Sequence, residues 1–355
     1  MDFSTSHGRV IPGQPPGPAE KVDGFTEPKD GQGAGPNLPI EDISPGYYGL
    51  PVLKTPVWRW EVWAYFFLGG LAAGSFVVAS LARLFGDVDD RPIWRTGYLI
   101  SLLAVLGCPP FLIKDLGRPA RFLNMLRIFK PQSPMSLGVW GLLGFSGCAL
   151  GQALISLRAD VDVVEVGRPR RGSLSRGVAA LGTVLGLFLG SYTGVLLSVT
   201  SVPLWSRSRL LGPTFLASAL SSGTAAVSLG LLVSGQTTPK REAALDRFKL
   251  VTLIAEAIGL TLFLRETGRA ARPLFSFQQM GRSFLLGAVG LGVGVPIFSR
   301  LLAGSSCRLV SGLSAVATLI GSLLLRRSIV EAGHWSAEDA EMTFWHTDRA
   351  KRGAR

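Results

Sequence analysis

The chain has 355 residues, of which 47% are hydrophobic and only 17% charged, and its mean hydropathy is +0.35. Ordinary soluble domains carry about 25% charged residues, so the composition indicates an integral membrane protein rather than a soluble enzyme. The net charge of +12 lies in short clusters between apolar runs. That placement is how membrane proteins carry charge, and it excludes nucleic acid as the expected partner.

Residues 1–55 form a Pro/Gly-rich polar tail ("PGQPPGPAEKVDGFTEPKDGQGAGPNLP") with no apolar core of a signal peptide. Aromatic residues of the kind that sit at a membrane interface follow in "YYGLPVLKTPVWRW". Residues 56–330 are expected to hold eight helical spans, each near the roughly 20 residues that cross a hydrocarbon core. They are placed at about 62–84, 96–114, 136–157, 177–199, 212–234, 248–265, 283–302 and 308–326. A second polar tail is expected over 331–355. Small residues recur within the spans, as in "GGLAAGS" and "LGAVGLGVGV", and would let helix backbones approach closely in lipid. Pro109 and Pro110 are expected to kink the second span near its end.

An even number of spans puts both termini on one face. That face also collects the larger share of the 36 lysines and arginines, so the charge bias places it in the cytoplasm and the chain in the cell membrane.

Between the second and third spans lies "KDLGRPARFLNMLRIFKPQSPMSLGVW" (114–140), more elaborate than a hairpin connection requires. It lies on the face beneath which the spans place Tyr65, Lys114, Asp115 and Tyr192. That arrangement makes the loop a lid and docking platform over a pocket, with Arg118, Arg121, Arg127 and Lys130 as its docking charges. The plainer alternative is a solvated interfacial charge run. Tyr192 and Tyr65 are either amphipathic residues parked near the headgroups or phenols that donate a hydrogen bond to a ligand carbonyl. Glu256, in "VTLIAEAIGLTLF", is the ionisable group nearest a span midpoint. It is read either as a neutral acid bonded to a neighbouring hydroxyl or as part of a proton route.

The histidines are His7, His334 and His346, all outside the expected spans, so no axial haem ligands project into the bilayer. Cys108, Cys148 and Cys307 are widely separated and show no spacing suited to an iron–sulfur cluster or zinc. The chain is therefore expected to hold no haem and no iron–sulfur cluster.

"YFFLGGLAAGS", "KDLGRPARFLNMLRIFKPQSPMSLGVWGLLGF" and "SYTGVLLS" resemble the membrane subunit of the NrfD/polysulfide reductase family, over about residue 47 to "VEAGHWSAEDA". The resemblance implies an all-α membrane protein of about eight helices in two four-helix bundles. It implies a haem-free anchor that binds quinone (menaquinone or ubiquinone), docked to a ferredoxin-type iron–sulfur subunit and a molybdopterin catalytic subunit. By its motifs Tyr192 is the tyrosine at a quinone carbonyl, and Tyr65 falls where some members carry a histidine. Asp115 and Lys114 stand at the pocket mouth, Arg118 belongs to the DLGRP signature, and Glu256 matches a membrane acid assigned to proton movement. A secondary transporter with a substrate site near Glu256, or a purely structural anchor, are the competing readings of the same pattern.

Overall fold

A computed structural model describes residues 53, 56–162, 173–276, 281–303, 308–339 and 343. The expected 1–55 tail, His7, His346 and Cys307 lie outside them, apart from single positions at the tail's end. The described chain is helical throughout, with no strand among these residues.

Helix α1 (Trp60–Phe85) is followed by α2 (Arg91–Leu106) and α3 (Cys108–Asp115). The expected kink is a break at Gly107, and Pro109 and Pro110 fall in the first turn of α3, where a missing N–H removes no intrahelical bond. The loop then forms a short 3-10 turn (Pro119–Arg121) and the short helix α4 (Phe122–Arg127). Long helices α5 (Pro134–Asp162) and α6 (Ser173–Ser198), the turn-length α7 (Pro203–Ser206) and helix α8 (Leu211–Val233) come next. After them come α9 (Pro239–Thr267), the short α10 (Pro273–Ser276), a π-helical stretch α11 (Ser283–Gly294) continuing into α12 (Val295–Ala303), and α13 (Arg308–Glu338).

Seven of the described helical segments are long and apolar enough to cross a membrane, one fewer than the eight expected. The missing one is 248–265, which lies inside α9. That helix is 29 residues long, but Lys249, Glu256 and Arg265 dilute its apolar run. Its two faces explain the discrepancy. Val251, Ile254, Ile258 and Leu262 are exposed along one stripe, while Asp246, Lys249, Leu253, Glu256 and Leu260 are buried along another. Spacings of three and four residues put each set on one side of a helix. Composition averages over both faces; packing separates them.

Helices α1, α2, α5 and α6 pack pairwise around a ring, and α8, α9, α11 and α13 pack around a second. The two four-helix groups meet chiefly where α1 crosses α8. There Gly74 and Gly223 bring the backbones together: a Cβ on Gly74 would fall on the Ala219 carbonyl, and one on Gly223 on the backbone of Gly74 and Ser75. Without a hydrophobic drive between helices in lipid, such close approach supplies the packing. The outer surface is apolar, with Leu103 71%, Val184 64% and Leu286 67% exposed, as a lipid-facing surface requires.

The last helix continues past the span end expected near 326. It runs to Glu338, because Ile329, Val330, Ala332 and Ala337 bury a continuing apolar face. His334, expected in a polar tail, therefore lies on this helix, its ring 6.2 Å from that of Trp205.

Candidate functional site

A cleft of about 710 Å³ opens where the first turns of α1 and α5, the end of α3 and the last turns of α6 meet. Its walls include Trp58, Val62, Phe66, Leu112, Met135 and Leu196, and its polar groups are Tyr65, Tyr192 and Asp115. A few polar groups converging among apolar walls are the makings of a small-molecule site.

The elaborate loop roofs this cleft. Leu116, Phe122 and Met125 turn into it, while Arg118, Arg121, Arg127 and Lys130 are exposed. The local sequence explains the geometry. Gly117 adopts φ +68° and bonds back to the Lys114 carbonyl (3.3 Å), a left-handed stop after α3 that favours glycine. Pro119 then starts the 3-10 turn that swings Phe122 under the roof. At the far end the Lys130 amide donates to Ser136 Oγ (3.0 Å), and Phe129 packs edge-on against Trp140 (5.9 Å).

The two tyrosines differ in a way the sequence does not show. Tyr192 Oη donates to the Pro134 carbonyl (2.6 Å), so its hydroxyl already holds the start of α5. Its ring lies against Gly138, where a Cβ would collide with it. Tyr65 is buried and lines the same cleft, and its hydroxyl has no hydrogen bond to another described residue. Lys114 stands outside the lining. It pairs with Glu61 Oε1 (3.2 Å) and sits 4.5 Å over the Trp60 ring. The other oxygen, Glu61 Oε2, is buried without a hydrogen-bond partner.

Glu256 is not in the cleft. It is buried in the second helix group, where Ser221 Oγ donates to its Oε2 (2.8 Å). Sequence reading misses the residue beside it, Arg326, which is fully buried on α13. Arg326 donates to the carbonyls of Phe66 (3.1 Å), Ser322 (3.0 Å) and Phe215 (3.4 Å), and to Ser218 Oγ (3.1 Å). Phe66 is a cleft wall, and Ser218 lies one turn from Ser221. A chain of hydrogen bonds thus joins the cleft wall, through Arg326 and two serines of α8, to the neighbourhood of Glu256. In the sequence, position 326 looks like the end of the last span, where a charge needs no explanation. Only the continuation of apolar spacing to residue 337 marks it as interior.

Among the described residues, no group of three or more His, Cys, Asp or Glu side chains could hold a metal ion.

Fold and cleft together define a multi-pass membrane protein with a lidded apolar pocket on one face. The profile of the Polysulphide reductase, NrfD family matches residues 52–337, and the protein belongs to that family. Over 302 residues it is 29% identical to a polysulfide reductase polypeptide of Wolinella succinogenes, covering 79% of this protein and 95% of the relative. It is 27% identical over 301 residues to protein NrfD of Escherichia coli strain K12, covering 78% and 95%. A putative dimethyl sulfoxide reductase membrane subunit of Halobacterium salinarum is 27% identical over 281 residues, covering 71% of this protein and 63% of its own length.

Proposed function

We propose that the protein is the quinone-reactive membrane subunit of a respiratory oxidoreductase complex in the cell membrane, exchanging electrons between a partner iron–sulfur subunit and quinone or quinol. The observation that carries the reading is the lidded cleft with Tyr65, Tyr192 and Asp115 among apolar walls. The fit is chemical: phenols suit the carbonyls of a quinone ring, and Phe66, Phe122 and Met125 suit its apolar body and tail. A bound quinone or quinol would supply a two-electron, two-proton couple. The protein's own residues hold and orient it, exclude water beneath the loop, and carry protons at Asp115 and the Glu61–Lys114 pair. The names of two relatives, a polypeptide of polysulfide reductase and a membrane subunit of dimethyl sulfoxide reductase, support assembly into a reductase complex; the partners in this reading are an iron–sulfur subunit and a molybdopterin catalytic subunit. Glu256, joined to the cleft wall through Arg326, is the candidate for onward proton movement. A transporter with its substrate at Glu256 is less well supported, since that carboxyl is enclosed by serine and helix rather than lining the cleft.

Binding of menaquinone or ubiquinone to the purified full-length protein tests the reading. Tyr65→Phe and Tyr192→Phe each remove one hydroxyl and keep the ring. A hydrogen bond to a neutral acceptor contributes about 0.5–1.5 kcal/mol net, so each change is expected to weaken quinone binding roughly two- to tenfold. Tyr65→Phe should show the full loss. Tyr192→Phe should show less, because that hydroxyl must first leave the Pro134 carbonyl. Gly138→Ala, whose Cβ would collide with the Tyr192 ring in the cleft wall, should weaken binding without removing any polar group. Wild-type affinity in all three variants would sink the assignment of the cleft.

A second expectation concerns the loop. Arg118 and Arg121 point away from the cleft, so reversing both to Glu should release the iron–sulfur partner while quinone binding and membrane insertion persist. Copurification of the complex at wild-type yield would return these arginines to ordinary solvated charges.

A further inference from the structure

At the opposite end of the second helix group, two cations and one carboxylate are gathered beside a separate cleft. Asp246, buried on α9, accepts from Arg300 of α12 (3.1 Å) and pairs with Lys249 Nζ one turn along (3.4 Å). Lys249, also buried, reaches Ser314 Oγ of α13 (3.4 Å). These groups line a narrow cleft with Ser299 and Ser311. One carboxylate faces two basic side chains, so the cluster has one more basic group than acidic. The adjoining cleft adds one basic and one acidic side chain, Arg241 and Glu242, and so leaves this balance unchanged.

A buried excess charge is costly in a membrane unless an anion or the interface compensates it. Position decides which. Asp246 lies about 10 Å along α9 from its start at Pro239, by the helical rise of roughly 1.5 Å per residue. Arg300 is in the last turn of α12 and Ser314 in the second turn of α13. The cluster is therefore near the end of three helices, at the level of lipid headgroups. Around it Phe298 (63%), Leu301 (74%), Leu309 (69%) and Leu313 (62%) are exposed, an apolar rim suited to acyl chains rather than water.

From this geometry we propose that the cleft between α9, α12 and α13 binds the headgroup phosphate of an anionic phospholipid. Lys249 and Arg300 supply the charge, and Ser311 and Ser314 supply hydroxyl donors. Basic pockets between membrane helices take such headgroups. The inference is independent of the quinone reading, because it uses none of the cleft residues beneath the loop.

The test uses the full-length protein, purified in a non-ionic detergent and delipidated, with native mass spectrometry counting retained phosphatidylglycerol, phosphatidylcholine or inorganic phosphate. Wild type is expected to retain phosphatidylglycerol about fivefold better than phosphatidylcholine, the preference that one additional cation near a membrane surface supplies. Lys249→Met and Arg300→Met should each abolish the preference, while Arg247→Met, an exposed neighbour on α9, should keep it. Asp246→Asn leaves both cations uncompensated and should raise the preference, a gain that misfolding does not imitate. Equal retention of the two lipids by wild type would overturn the proposal, as would an unchanged preference in Lys249→Met or an equal loss in Arg247→Met. Inorganic phosphate binding without any lipid preference would overturn it too, by making the cleft a site for free oxyanions.

Discussion

Gly223→Leu is expected to abolish recovery of folded protein from the membrane. The side chain would have to start where the backbone of Gly74 and Ser75 already lies, and backbone, unlike a flexible side chain, cannot turn aside. Separating α1 from α8 enough to admit it would open the main contact between the two helix groups. It would also draw Phe66 away from Arg326, whose Nε is 3.1 Å from the Phe66 carbonyl. Overpacking in a close-packed interior costs about 1–3 kcal/mol when neighbours can move, and more when they cannot. A total stability of about 5–15 kcal/mol leaves little margin for the second case. Gly147→Leu is the matched control, since a Cβ there meets nothing within 4 Å. The measurement is the yield of monodisperse protein after membrane extraction. If Gly223→Leu and Gly147→Leu give similar yields, the α1–α8 crossing is not as close as the structure has it.

The fold was legible wherever one residue type dominates a whole helix. Helices α1, α5, α6 and α8 lie within a few residues of their expected positions because each is apolar on nearly every side. The reading weakens at α9, where charge and apolarity occupy opposite faces. The expected spans leave Asp246 in a connection, although the buried series 246, 249, 253, 256 and 260 follows helical spacing. That spacing is the available signal, and attention to Glu256 alone conceals it.

The cleft was legible in part. The order of the spans places Tyr65, Asp115 and Tyr192 under one face, and the structure has all three lining one cleft. The bond from Tyr192 to Pro134 links residues 58 apart in sequence, and no local pattern announces it. The Lys114–Glu61 pair is hidden for the same reason, since its members stand on different helices. The loop's outward arginines and inward Phe122 and Met125 follow from the turn set by Gly117 and Pro119, a conformation that composition alone does not specify.

Arg326 makes the largest prediction inside the bundle. Its guanidinium is fully buried, yet three carbonyls and two serine hydroxyls accept from it, so the charge is solvated by protein. Glu256 is its nearest counter-charge, reached through Ser218 and Ser221, which lie one turn apart on α8. Arg326→Met fills similar space but removes the guanidinium donor that the helical carbonyls of Phe66 and Phe215 accept beyond their own helix bonds, and leaves Glu256 without a compensating cation. Hydrogen bonds to a charged group contribute about 1.5–3 kcal/mol each, so this variant should unfold at lower temperature or denaturant than wild type. Glu256→Gln alone keeps shape and hydrogen bonding with Ser221, and should unfold near wild type while slowing quinone-linked turnover or its coupling to proton movement. The double variant separates the electrostatic part of the loss from the packing part. Once Glu256 is neutral, Arg326→Met no longer strands a carboxylate, so the combined loss should fall short of the sum of the singles by about 0.5–3 kcal/mol. The lost donors to Phe66 and Phe215 remain in the double variant, which is why the rescue should be partial. Strict additivity would show that the two charges do not sense each other across α8. In that event the hydrogen-bonded path from the cleft wall toward Glu256 would be a structural brace, and proton movement would have to be sought along another helix face.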